Sequence, residues 1–297
     1  MTGRIIKNIS NDYTIESNGK LYICKPRGKF RLDDKTPLVG DIVSFDELNN
    51  YIIDILPRKN ELIRPSIANI DMAIIVTSVK NPDFDTVTLD KTLTITSYNN
   101  ITPIIYFTKL DLLNDDEYQQ IKKYIDYYQH IGYLISTTPD DLLKKINGLT
   151  VVLTGQSGAG KSTLLNKINP SLKLKTAEIS MALGRGKHTT RHTELFETAG
   201  SYIADTPGFS KIDLVGMSNI DIRDNMKEMF DNLQYCKYHD CMHLSEDGCH
   251  VIELVQKKEI LASRYNNYKN FIKRWFIWLK YQPQFSHQMK ELNVYKN

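Results

Sequence analysis

The sequence predicts a multidomain protein in which an all-β segment precedes an α/β segment and a mainly helical segment. Short apolar runs separated by turn residues fill the first part of the chain. Glycine-rich and acidic loop motifs follow continuous apolar runs in the middle, and three of the four cysteines lie within 14 residues in the last part. A chain of 297 residues is long enough for two or three separate cores. We expect the domains to span 1–66, 67–214 and 215–297.

Composition favours a soluble globular protein, which we expect to be cytoplasmic and monomeric. Charged residues make up 25% of the chain and apolar residues 41%, and the start of the chain has no apolar signal segment. No uninterrupted apolar run approaches the length of a membrane span, so we expect no membrane association. Because cytosolic thiols stay reduced, the clustered cysteines indicate a metal site rather than disulfides.

The first segment is predicted to form a five-stranded OB-fold barrel. Its apolar runs are interrupted by turn signals such as Asn18-Gly19 and Gly40-Asp41. One loop concentrates four cations around Phe30, namely Lys25, Arg27, Lys29 and Arg31. Two interpretations of this loop are open: an RNA-phosphate-binding surface with a stacking ring, or a solvent-exposed hairpin tip.

The middle segment has the pattern of an α/β P-loop domain. The apolar runs 72–77, 104–107 and 151–154 predict buried parallel strands. The last run leads into a phosphate loop and a predicted helix, which together place nine residues around a nucleotide: Gly155, Gln156, Ser157, Gly158, Ala159, Gly160, Lys161, Ser162 and Thr163. A strand, a glycine-rich loop and a helix in this order support nucleotide binding more strongly than the loop pattern alone.

Further motifs indicate that the nucleotide is GTP. The stretch Thr108, Lys109, Leu110 and Asp111 matches a guanine-recognition motif, in which Asp111 accepts hydrogen bonds that adenine cannot supply. We expect Lys161 to contact the β- and γ-phosphates and Ser162 to be a Mg²⁺ ligand. Asp205 is expected to contact Mg²⁺ through water, and Gly208 to offer its N–H to the γ-phosphate.

The order of these motifs is that of a circularly permuted GTPase. Gly155 begins the phosphate loop 44 positions after Asp111, whereas an ordinary GTPase has its phosphate loop first. Thr108 replaces the usual asparagine, which removes one side-chain amide contact to guanine. Phe209 stands where many GTPases carry the glutamine that orients the attacking water, and a phenyl ring cannot do so.

The water-positioning group is therefore expected elsewhere, and His188 is the best candidate. It lies in a glycine-containing stretch, 184–190, and its imidazole can hydrogen-bond water near neutral pH. The adjacent Thr189 and Thr190 are placed to reach Mg²⁺ when this loop folds over the γ-phosphate. A plain surface histidine is the other interpretation.

The last segment contains a candidate structural zinc site. Cys236, Cys241, His243 and Cys249 supply three thiolates and one imidazole, a set suited to tetrahedral Zn²⁺ with no open position. A metal-free cysteine cluster is the alternative. Downstream, apolar and aromatic residues recur at helical spacing from Leu261 to Leu279, which indicates a helix with one face in the domain core.

Taken together, these motifs resemble the bacterial ribosome small-subunit-dependent GTPases, the RsgA family, also called YjeQ or YloQ. The likeness includes Gly40-Asp41, the N-x-L-x-R-P stretch at 60–65, TKLD, GQSGAGKST, GRGKHTT, DTPGF and the C-x4-C-x-H-x5-C knuckle. It implies an OB domain, a permuted GTPase domain and a zinc domain. It also implies GTP hydrolysis to GDP stimulated by the 30S subunit, contact with 16S rRNA, a role in late maturation of that subunit, and a catalytic role for His188.

Two other functional classes stay open on the sequence alone. A non-enzymatic RNA-binding module would hold GTP as a static ligand and show no stimulated turnover. A P-loop kinase would need an acceptor-substrate site and should tolerate the loss of Asp111.

Overall fold

The computed structural model describes residues 1–28, 30, 36–63, 66–170, 194–204, 214 and 216–280, with side chains except at 63 and 274–280. Contacts divide the chain into two compact units. The first unit consists of Met1–Phe84 and Asn99–Ile212, and the second consists of Asp85–Tyr98 and Asp213–Asn297. Within the described ranges, no helix is both long and apolar enough to cross a membrane.

The strands and α-helices of these ranges alternate in the middle of the chain and are otherwise segregated. In chain order they are β1 (Thr2–Ile9), β2 (Asp12–Ser17), β3 (Lys20–Pro26), β4 (Ile42–Asp46), β5 (Tyr51–Ile55), β6 (Glu61–Ile63), β7 (Ser66–Ala68), β8 (Met72–Ser78), α1 (Thr86–Tyr98), β9 (Thr102–Thr108), α2 (Asp115–His130), β10 (Leu134–Ser136), α3 (Pro139–Ile146), β11 (Thr150–Thr154), α4 (Lys161–Ile168), β12 (Leu195–Thr198), β13 (Ser201–Ala204), α5 (Asn219–Asp224), α6 (Lys227–Asp231), α7 (His250–Gln256) and α8 (Ala262–Lys280).

The predicted five-stranded barrel at the start of the chain is confirmed. Its strands follow the closed order β1-β2-β3-β5-β4, in which β4 pairs back to β1 and the β3–β5 pair is parallel. Alternate residues of β2 point inward, so Tyr13, Ile15 and Ser17 are buried while their neighbours are not. This period of two is what a strand with one core-facing side requires.

The Gly40-Asp41 pair fixes the end of the barrel. Gly40 has a φ of +91°, and a Cβ there would lie 2.0 Å from the carbonyl oxygen of Ala68, so only glycine fits. Asp41 is fully buried and accepts two hydrogen bonds of 2.8 Å from the guanidinium of Arg58. The buried charge is thus paired in the bidentate geometry that stabilises such groups.

The α/β segment forms one six-stranded sheet in the order β10-β9-β8-β11-β13-β12. Only the β12–β13 pair at one edge is antiparallel among the pairs of this sheet. All seven residues of β8 are buried, as expected for a central parallel strand covered on both faces. Because β8 lies between β9 and β11, the loops that follow these three strands meet at one edge of the sheet.

The barrel and the sheet share a continuous core within the first unit. Barrel residues such as Ile5 and Val43 belong to the same buried cluster as Val152 and Ala204 of the sheet. At its rim, Arg4 donates a 2.8 Å hydrogen bond to the hydroxyl of Thr150.

The second unit combines α1 with the C-terminal helices and the cysteine cluster. Helix α1 lies between β8 and β9 in sequence, inside the segment predicted as 67–214, yet it packs on α8. A fully buried ion network holds the pair together: Arg264 of α8 donates to Asp90 of α1 at 2.7 Å and to Glu228 at 2.5–2.8 Å. Asn267 donates a further hydrogen bond of 2.6 Å to Asp90. The three-domain division predicted from sequence stays a prediction.

Candidate functional site

The phosphate loop has a backbone that favours glycine at three points. It connects β11 to α4, and Gly155, Gly158 and Gly160 have φ values of +136°, +78° and +98°. A Cβ on Gly155 would lie 2.1 Å from the carbonyl oxygen of Val76 in the neighbouring strand. The glycines therefore let the loop turn tightly over β8 and enter α4, whose N-terminal N–H groups favour an anion.

The ammonium of Lys161 lies within this loop. It donates hydrogen bonds of 2.7 Å to the carbonyl of Gly155 and 2.6 Å to that of Gln156. Ser162 and Thr163 follow in the first turn of α4, and Ser162 is half-buried. Lys161 and both hydroxyl residues therefore lie in the first turn of α4, as the phosphate-loop pattern predicts.

The guanine-type motif lies directly beside the phosphate loop. Thr108 ends β9, and its hydroxyl donates a 2.7 Å hydrogen bond to the carbonyl of Ala159. Lys109, in the left-handed conformation with φ +63°, extends its ammonium to the carbonyl of Gly158 at 2.9 Å. Leu110 and Asp111 belong to the 3-10 turn Leu110–Leu112, where Asp111 is exposed. Side chains of the guanine-type motif therefore donate hydrogen bonds to backbone carbonyls of the phosphate loop.

A third loop, residues 79–84 after β8, joins the same group, and no sequence motif predicts it. The Lys109 ammonium also donates to the carbonyl of Asn81. Pro82 lies against Gly158, 3.5 Å from where a Cβ would be. The buried strand β8 could have revealed this loop, because its carboxyl end must meet those of β9 and β11.

Several predicted site residues lie outside the described residues: His188, Thr189, Thr190, Asp205 and Gly208, with Lys29 and Arg31 of the basic loop. The other two cations of that loop are described. Lys25 is exposed, with its ammonium 3.9 Å from the Asp12 carboxylate, and Arg27 is exposed near Asp46. Acidic groups therefore flank the described part of the basic loop.

The predicted metal ligands converge in the second unit. One ligand atom from each of Cys236, Cys241, His243 and Cys249 lies within 4.8 Å of the others. The His243 Nδ1 atom is 3.5 Å from the Cys236 sulfur and 3.3 Å from the Cys249 sulfur, and these sulfurs are 4.0 Å apart. Tetrahedral Zn²⁺, with Zn–S of about 2.3 Å and Zn–N of about 2.0 Å, separates ligand atoms by about 3.5–3.8 Å. The cluster is compatible with a metal site.

Backbone and side-chain contacts orient the cluster. The Nε2 atom of His243 lies 3.1 Å from the carbonyl of Met229, which leaves Nδ1 facing the sulfurs. Tyr265 and Tyr268 of α8 donate hydrogen bonds of 2.7 and 2.6 Å to the carbonyls of His243 and Met242. Glu246 accepts from the backbone N–H of Met242 at 2.7 Å. Such outer contacts fix the direction of the ligands and the tautomer of the ring.

Burial shifts the pKa of three residues of this cluster. It raises the pKa of the Cys249 thiol to about 12, raises the pKa of Cys241, and lowers the pKa of His243. Buried thiols without a cation therefore favour the protonated form, and a divalent metal would displace those protons as it binds. The donor set of three sulfurs and one nitrogen suits zinc better than the harder cations.

Comparisons with known proteins agree with the described geometry. A model of the RsgA GTPase family matches residues 55–215, and a model of the RsgA N-terminal domain matches residues 2–51. The chain is 46% identical over 280 residues to "Small ribosomal subunit biogenesis GTPase RsgA 2" of Oceanobacillus iheyensis, covering 91% of this chain and 96% of the relative. It is 42% identical to the RsgA protein of Enterococcus faecalis, covering 92% of this chain and 94% of the relative.

Solved structures give the same result. YloQ, described as a circularly permuted GTPase, aligns with a TM-score of 0.79 at 34% identity, covering 92% of this chain and 94% of that one. YjeQ from Thermotoga maritima aligns with a TM-score of 0.80 at 32% identity, covering 92% and 97%. The resemblance inferred from the motifs is thus confirmed, and the chain belongs to the RsgA family of circularly permuted GTPases.

Proposed function

We propose that this GTPase binds the 30S ribosomal subunit, assists its late maturation, and hydrolyses GTP to GDP and phosphate with stimulation by that subunit. The observation that carries the nucleotide part is the junction of three loops, where Thr108 and Lys109 hold the phosphate loop. The ribosomal part rests on relatives that are named for small-subunit biogenesis and are covered over 96% and 94% of their length.

At the nucleotide, each residue has a distinct role. Backbone N–H groups of the phosphate loop and the Lys161 ammonium bind the β- and γ-phosphates, and Asp111 accepts from the guanine N1–H and amine. Ser162, Asp205 and Thr189 or Thr190 would hold Mg²⁺, which neutralises charge on the phosphates when bound. His188 orients the attacking water, and Gly208 binds the γ-phosphate through its N–H.

In the second unit, Cys236, Cys241, His243 and Cys249 hold one structural Zn²⁺. The donor set is complete without water, and burial of Cys241, His243 and Cys249 supports a structural rather than a catalytic site. The metal would stabilise the fold of the segment that carries the ligands.

Contact with the subunit is assigned to 16S rRNA. The exposed Lys25 and Arg27 support this assignment, with Lys29 and Arg31 adjacent in sequence. We further propose that the protein acts in the cytoplasm as a monomer, bound to GTP or GDP and to the subunit.

Phosphate release from GTP, measured with and without purified 30S subunits, tests the proposal. We expect 30S subunits, and not 50S subunits, to accelerate release, and His188→Ala to abolish the acceleration while nucleotide affinity changes by only a few fold. His130→Ala is the matched control, because His130 is exposed at the end of α2. Nucleotide binding without stimulated turnover would instead support the non-enzymatic RNA-binding module.

A P-loop kinase is the remaining alternative. It predicts ATP competing equally with GTP in the unmodified protein and little effect of replacing Asp111. Competition between the two nucleotides therefore separates the kinase from the GTPase.

A further inference from the structure

The hydroxyl of Thr108 contacts backbone carbonyl oxygens of the protein. Its hydroxyl lies 2.7 Å from the carbonyl oxygen of Ala159 and 3.4 Å from that of Thr77. A hydroxyl has one proton to donate. The shorter contact takes that proton, so Thr108 connects the end of β9 to the phosphate loop.

This engagement limits what Thr108 can offer to a base. Guanine presents two acceptors, N7 and O6, along one edge, and a side chain must donate to recognise either of them. A hydroxyl whose proton is engaged has only lone pairs left. The asparagine that many GTPases have at this position carries two N–H donors, so it can bind a loop carbonyl and the base at once.

The side chain of the neighbouring Lys109 also donates to backbone carbonyls. Its ammonium donates to the carbonyls of Gly158 and Asn81, on the two loops adjoining its own. Both residues that begin the motif therefore contact protein backbone, whereas Asp111 is exposed on its 3-10 turn. The motif thus separates into a part that holds the loops together and a part that remains accessible to a base.

We propose that Thr108 is a positioning residue that fastens the base-recognition loop to the phosphate loop, and that the site consequently recognises guanine without a side-chain donor to N7. This inference rests on the proposed GTP site. It places base selectivity on Asp111 and on backbone groups, and it makes the alignment of base and phosphates depend on the Thr108 hydroxyl together with the Lys109 ammonium.

The test compares GTP with 7-deaza-GTP, in which a C–H group replaces N7, by equilibrium binding to the full chain. The unmodified protein should bind the two within about twofold. Thr108→Asn should restore a donor and favour GTP by about fivefold, the effect of one hydrogen bond. Thr108→Val keeps the shape but loses the donor, so it should weaken both nucleotides equally by about fivefold, and Thr108→Ser should retain the original affinity.

Thr102→Val is the matched control, because Thr102 is the exposed first residue of the same strand, about 20 Å away along it. A preference for GTP over 7-deaza-GTP of fivefold or more in the unmodified protein would overturn the proposal, since a donor to N7 would then exist. Unchanged affinity in Thr108→Val would also overturn it. Equal binding of ATP and GTP would reject the GTP site itself, and the inference with it.

Discussion

The nucleotide site and the cysteine–histidine site differ in what holds them in place. At the nucleotide site, side chains such as Lys109 and Lys161 donate to backbone carbonyls of the loops, and Asp111 is exposed. At the other site the functional side chains themselves are largely buried, with His243 fully so and Cys249 only 3% exposed. The candidate nucleotide site is therefore a surface whose shape depends on the backbone of its loops. The cysteine–histidine site is part of a protein core.

This difference predicts that substitutions at the two sites affect different properties, binding at one and folding stability at the other. A residue of the nucleotide site should affect binding while the free energy of unfolding stays nearly unchanged, because an exposed side chain contributes little to the fold. A residue of the cysteine–histidine site should affect the fold, because the ligands and their hydrogen bonds make up the interior. The predictions below test this contrast from the largest expected effect to the smallest.

Cys249→Ser should have the largest effect. Structural Zn²⁺ in small domains binds with about 10–16 kcal/mol, and that binding free energy stabilises the fold. We expect loss of one Zn²⁺ per chain by elemental analysis and unfolding of the second unit, seen as a lost thermal transition. Cys24→Ala is the control: this cysteine is buried in the barrel core and should leave the metal content at one per chain. Full metal content with an unchanged transition in Cys249→Ser would contradict the structural role.

Arg264→Leu should come next. The substitution leaves the carboxylates of Asp90 and Glu228 buried with no cation between them, and breaking a buried ion network in this way costs about 3–5 kcal/mol. Urea unfolding measures the loss. A triple variant with Asp90→Asn and Glu228→Gln should recover much of the stability, because no unpaired charge remains. If the single variant were as stable as the original protein, the network would not hold α1 to α8.

The backbone conformation of the phosphate loop was predictable because consecutive residues define it. Glycines at 155, 158 and 160 and the lysine at 161 are constrained by a local backbone path, so their spacing alone indicates the structure. The same is true of the cysteine and histidine cluster, whose residue types and short spacing follow the pattern of a metal site. The closed barrel followed from the short apolar runs and turn residues of the first segment.

The contacts that bridge distant parts of the chain could not be predicted. Asp90 resembles any polar residue of a helix until Arg264, 174 positions later, is seen to contact it. The membership of α1 in the second unit reflects its packing on α8 and has no local sequence signal. The hydrogen bond from Lys109 to the carbonyl of Asn81 has no sequence signal either, because every residue has a backbone carbonyl.

Asp111→Asn should separate binding from stability. The amide replaces two acceptors with a partly mismatched group, so GTP affinity should fall by about 2–4 kcal/mol while xanthine nucleotides gain. The midpoint of urea unfolding without nucleotide should shift little, because Asp111 is exposed. Competition binding with GTP and XTP measures the first effect. A large loss of stability would show that this site, too, is part of a core and would weaken the contrast.

Tyr265→Phe should have the smallest effect, and it tests how the support of the metal cluster is shared. The tyrosine hydroxyl donates to the carbonyl of His243 at 2.7 Å, so its removal deletes one neutral hydrogen bond, worth about 1 kcal/mol. Zinc content should stay at one per chain, because His243 is also oriented by the carbonyl of Met229. Tyr268→Phe removes the parallel bond to Met242, and the double variant reveals whether the two hydroxyls act independently. Additive losses would mean that each tyrosine supports its own carbonyl, whereas a larger combined loss would mean that α8 holds the ligand loop as one surface.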